Sequence, residues 1–90
     1  MGHKSQSKLS SKIEKAAEKI HLGDIYYHYK SPDDFYLIEH IGFLENSDEV
    51  CIIYRALYGD EIVWIRPLSN FLEKVRNNKG KKVHRFSKVV

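Results

Sequence analysis

From Gly23 onward the chain is a succession of short aromatic and β-branched runs, each cut off by turn-forming residues, a pattern that points to strands rather than long helices. "DIYYHYK" ends at "SPDD", where Pro32 and two aspartates favour a turn, and "FYLIEHIGFL" ends at "ENSDE". "VCIIYRAL" gives way to "YGDE", and "IVWIR" is stopped by Pro67, which cannot donate to a ladder. "RNNKGKK" then turns the chain into a last run, "VHRFSKV". The expected fold class is mainly β: a small SH3-like antiparallel barrel of about five strands over residues 23–90, with a short helical turn before the last strand. That turn is expected in "PLSNFLEKV", where Pro67 suits a first helical position and Leu68, Phe71, Leu72 and Val75 follow at helical spacing. Gly42 is the expected bulge or bend in the second strand, with Leu37, Ile41 and Phe43 on one face and Ile38 and His40 on the other.

The N-terminal segment has a different period. Ser11 with Glu14 is a capping-box pair, Ile13, Ala16, Ala17 and Ile20 recur at helical spacing, and Gly23 is a stop. A helix is expected over residues 11–22, preceded by a disordered, lysine-rich stretch at 1–10. Ninety residues make one domain with a modest core, so six tyrosines, four phenylalanines and one tryptophan must supply most of its bulk. Neither a signal peptide nor an apolar run of roughly 20 residues is visible, and a cytoplasmic protein without membrane contact is expected.

The formal charge of +3 is divided unevenly. Residues 1–23 carry five lysines against Glu14 and Glu18, residues 24–75 carry ten acids against four bases, and residues 76–90 carry six bases and no acid. The acidic middle argues against a duplex-binding face, whereas the basic ends keep contact with phosphates open. Cys51, the single cysteine, lies in a strand-like run and reads as an inert packed thiol. His3, His21, His28, His40 and His84 show no ligand spacing, so neither a metal nor another cofactor is expected. No nucleophile pattern or phosphate loop is present, and an enzyme is not expected.

Several blocks carry a family likeness: Tyr27 to Lys30, "YRALYG" within Ile53 to Gly59, "WIRPLSNFLE" from Trp64 to Glu73, and Arg85 with Phe86. Through them the chain resembles a bacterial family of uncharacterised proteins, the domain of unknown function numbered 1653, over residues 23–89. "SPDD" after Lys30 and His84 in place of a proline depart from the family pattern, and the N-terminal helix lies outside it. The resemblance implies a compact SH3-like fold and implies no reaction.

Two arginines stand inside strand-like runs, Arg55 and Arg66. Alternation puts Tyr54 and Ala56 on one face of their strand and Arg55 with Cys51 and Ile53 on the other, while Arg66 shares a face with Trp64. Each arginine can pair with a carboxylate such as Glu39, Asp60 or Glu73 or stack on a ring, which would make it structural. Alternatively, His28, Tyr29, Arg55, Tyr58, Trp64 and Arg66 line a groove that holds an anion by guanidinium hydrogen bonds beside a stacked ring. The leading functional expectation is a binding module for a peptide, nucleotide or protein partner. The rival is a nucleic-acid-associated protein gripping phosphates through its basic ends, with Lys79, Lys81, Lys82 and Arg85 at the C-terminal one. A third reading makes the N-terminal helix the contact of an accessory protein.

Overall fold

A computed structural model describes residues 5–89. Helix α1 (Gln6–Lys19) is followed by strands β1 (Ile25–His28), β2 (Ser31–Leu44), β3 (Glu49–Ala56) and β4 (Val63–Pro67). The one-turn helix α2 (Leu68–Phe71) leads to β5 (Lys74–Arg76), β6 (Lys82–His84) and β7 (Phe86–Lys88). The chain is thus mainly β, with the N-terminal helix and the short helix ahead of the last strands, as the sequence pattern implied. Five strands form one antiparallel sheet in the order β4-β3-β2-β1-β7, and β5 pairs only with β6. The ladder is open, because β4 and β7 stand at opposite ends of the sheet, so the expected barrel is not closed by hydrogen bonds.

Helix α1 begins earlier than the expected Ser11. Its cap is Ser5, whose hydroxyl accepts the Lys8 N–H at 3.4 Å. Leu9 extends the stripe of Ile13, Ala16 and Ile20 back by one turn, which makes residues 6–10 helical instead of disordered; residues 1–4 lie outside the described residues. Ala17 faces solvent, while Ala16 and Ile20 are buried. Beyond the helix Gly23, at φ +89°, turns the chain and donates its N–H to the Ile38 carbonyl at 2.8 Å.

Strand β2 corrects two expectations. His28 pairs with Ser31, so Tyr29 and Lys30 alone make the turn, and "SPDD" belongs to the strand. Tyr27 pairs with Phe35, leaving Pro32, Asp33 and Asp34 as a bulge, a position where the missing N–H of proline costs no ladder bond. The second irregularity falls at Glu39, not Gly42: Ile38 pairs with Tyr54 and His40 with Ile53. One extra residue at Glu39 brings Ile41 onto the face of Ile38, opposite Ile52, and sends His40 to the outer side. Strict alternation would have separated Ile38 from Ile41.

The core is built from Ile20, Tyr26, Ile38, Ile52, Tyr54, Phe71 and Phe86. Phe71 stacks on Phe86 with ring centroids 4.2 Å apart and 4° between planes, and meets Tyr26 and Tyr54 edge-on at 5.3 and 5.7 Å. A single turn of helix has little stability of its own, so α2 is held where it is by Phe71. Cys51 is buried on β3, its thiol directed at the Glu49 carbonyl, and burial first of all raises its pKa. No helix among the described residues is long and apolar enough to cross a membrane.

Candidate functional site

Register decides the fate of the two arginines. Arg55 pairs with Val63 across the β3–β4 ladder, whereas Arg66 pairs with Ile52 and Trp64 with Tyr54, so the arginines emerge on opposite faces. On the outer face the Arg55 Nε–H donates to Glu39 Oε2 at 2.9 Å, and Nη1 donates to the Glu61 carbonyl at 3.1 Å. The bulge at Glu39 supplies that carboxylate. Arg55 is therefore a paired surface residue and is not part of a groove with Arg66.

On the inner face Arg66 donates through Nε to the Tyr54 hydroxyl at 3.1 Å and through Nη1 to Asn70 Oδ1, and its guanidinium lies 5.2 Å from the centroid of Phe86. Arg85, the third half-buried arginine, is paired with Glu73 and also donates to the Asn70 carbonyl at 3.1 Å. Arg66 differs from both Arg55 and Arg85 in having no carboxylate partner among the described residues. Arg66, which keeps further N–H groups beyond these two bonds, lines a groove of about 320 Å³.

That groove draws its lining from five strands and two loops. The strands contribute His28, Ser31, Tyr36, Tyr54, Trp64, Arg66 and Phe86, and the loops contribute Lys30 and Tyr58. Trp64 and Tyr58 are 49% and 41% exposed, which leaves their faces open to a ligand. The Tyr36 and Tyr58 hydroxyls share a hydrogen bond of 2.6 Å, tying the β3–β4 loop to β2. Burial, then that bond, pushes the Tyr36 phenol well above its ordinary range, so its ring presents a neutral hydroxyl. Among the described residues no carboxylate lines the groove.

His28 reports the local field. Its Nδ1 accepts the Lys30 N–H at 3.2 Å, fixing the neutral imidazole as the Nε2–H tautomer. Burial, followed by the charges of Arg66, Arg85 and Lys30, lowers its pKa below the ordinary 6.5. A folded pKa below the unfolded one means that the unfolded chain takes up the proton first. The stability contributed by neutral His28 is complete above about pH 6.5 and is lost as the pH falls through 6.5 toward the lower folded value. Urea unfolding of wild type and His28→Gln at pH 7.5 and 5.5 should therefore show wild type losing more stability on acidification than the variant. A difference between the two proteins that is the same at both pH values would contradict the assignment.

Of the six residues singled out in the sequence, His28, Tyr58, Trp64 and Arg66 converge on this groove. Tyr29 lines an adjoining one with Lys30 and Arg76, its ring 4.8 Å from that of His28. Lys79, Lys81 and Lys82 are exposed on the β5–β6 hairpin, whereas Arg85 is occupied by Glu73. Lys30, Ser31, Tyr36, Tyr54 and Phe86 join the site without having been singled out for it. Among the described residues no three His, Cys, Asp or Glu side chains converge as a metal site would require.

A family model described as a protein of unknown function, DUF1653, matches residues 24–88, which excludes helix α1. Among solved structures, the crystal structure of a protein belonging to the same family from Bordetella bronchiseptica is similar. It is 30% identical, the likeness covers 80% of this chain and 90% of that one, and the TM-score is 0.67. No curated protein matches the chain.

Proposed function

The chain belongs to the DUF1653 family of proteins of unknown function, and from that premise we propose that it is a non-enzymatic cytoplasmic binding module whose inner groove holds an anion on Arg66. A flat group attached to that anion rests against Trp64 and Tyr58, and a nucleotide, a peptide or a protein partner could display such a pair. The observation that carries this reading is a half-buried guanidinium that, among the described residues, has no carboxylate partner and lies in a ring-lined groove without acids, within a segment where acids outnumber bases. Binding without catalysis is supported by the state of His28, whose Nδ1 is taken by a backbone N–H, so no carboxylate orients the ring as a general base.

Trp64 is the only tryptophan, so its fluorescence reports the groove directly. Adenosine 5′-monophosphate is expected to quench it saturably and adenosine to bind about tenfold more weakly, because a charge-assisted hydrogen bond contributes roughly 1.5–3 kcal/mol. Equal affinity for the two probes, or no saturable quenching by either, would overturn the proposal. Arg55→Ala should leave this titration unchanged and lower Tm only slightly, since its ion pair is on the opposite face and partly solvated. A loss of quenching in that variant would place the site elsewhere.

A further inference from the structure

We infer that the inner groove is one half of a track for single-stranded nucleic acid, an inference that rests on Arg66 being an anion site. The groove of Arg66 and the adjoining groove, of about 420 Å³, share Lys30 as a common wall. The second is lined by Tyr29, Arg76, Asn77 and Asn78 besides that lysine, and like the first it takes no carboxylate from the described residues. The chain has twelve acidic residues and ten of them lie between residues 24 and 75, so their exclusion from two contiguous grooves is a property of this surface.

Both linings combine rings with cations. Trp64, Tyr58 and Arg66 line the first groove and Tyr29 and Arg76 the second; where the two share Lys30, its ammonium is 5.9 Å from the centroid of Tyr29, whose ring stands against His28. This combination matches a strand whose bases stack while its phosphates meet cations, and an acidic peptide would satisfy only the cations. Beyond Arg76 the charge continues onto the β5–β6 hairpin. There the Asn77 side chain accepts the N–H groups of Lys79 and Lys81, and Arg76 donates to the Gly80 carbonyl at 2.8 Å, so the loop bearing Lys79, Lys81 and Lys82 is a formed turn. Gly80 at φ +76° permits it. A duplex would bury its bases away from the rings, so the track selects single strands.

The test is a comparison of uridine monophosphate with the tetranucleotide of uridine, read by Trp64 fluorescence on the full chain. The tetranucleotide should bind at least about tenfold more tightly, with a log–log salt slope near −2 for contacts at Arg66, Lys30 and Arg76. In the double variant Tyr29→Ala with Arg76→Gln, the two affinities should come within about twofold of each other. Binding of the mononucleotide with no gain for the tetranucleotide would overturn the track and leave the Arg66 site standing. No binding of either probe to Trp64 would overturn both. Equal binding of a duplex or of tetraglutamate at the same salt would also overturn the inference, by showing that charge alone is read.

Discussion

Phe71→Ala is expected to destabilise the protein by about 3–5 kcal/mol, the range for truncating a fully buried phenylalanine. Phe71 is 1% exposed and touches rings contributed by β1, β3 and β7, strands that no ladder joins directly to α2. In a domain of this size each kcal/mol shifts Tm by about 4–8 °C, so a fall of at least about 12 °C should appear in a thermal melt followed by circular dichroism. Leu72→Ala, one residue on and exposed, should change stability by no more than about 0.5 kcal/mol. A fall of under about 4 °C for Phe71→Ala would show that α2 is not anchored through this ring. The consequence reaches the groove, because α2 carries Asn70, which holds Arg66 by its side chain and Arg85 by its carbonyl.

The second large effect concerns Arg66. Arg66→Met keeps the apolar stem over Phe86 but removes the charge and the donors, and it should weaken adenosine monophosphate binding by about 10- to 100-fold. Arg66→Lys should recover part of the loss, since an ammonium restores charge but cannot bond Tyr54, Asn70 and a ligand from one rigid plane. In Arg66→Met the His28 pKa should also rise toward 6.5, because the Arg66 charge is second only to burial among the causes that lower it. An imidazole NMR titration reads this without any ligand. An unchanged His28 pKa together with unchanged nucleotide affinity would remove Arg66 from the site.

How far the sequence disclosed this arrangement depended on how local each determinant is. Alternation in "VCIIYRAL" and "IVWIR" correctly separated Tyr54 and Ala56 from Arg55 and placed Arg66 beside Trp64, because β3 and β4 are regular and joined by a short loop. Glu39 was named among the possible partners of Arg55, but the bulge that delivers it comes from pairing with β3 and leaves no mark in "LIEHIG". Pro32 carried a true local signal, read as a turn, whereas the ladder accommodates it as a bulge in a longer strand. The capping pair at Ser11 and Glu14 was outweighed by Ser5 and the extra apolar turn at Leu9. Phe86 and Tyr36 could not be assigned to the groove beforehand, since they reach it through non-local contacts: Phe86 by stacking on Phe71, and Tyr36 by its bond to Tyr58 across two strands. The family likeness extended over the sheet and not over α1, and it carried no site; four groove residues were named from the sequence, and register separated Arg55 from them.

The most direct test is a residue-resolved NMR map of adenosine monophosphate binding at low and moderate salt. Saturable shifts should cluster at His28, Tyr58, Trp64 and Arg66, spare Arg55, and persist at moderate salt because the groove is partly shielded from solvent ions. Shifts confined to helix α1 and the β5–β6 hairpin, vanishing as salt rises, would contradict the assignment and reduce binding to the electrostatics of the basic ends.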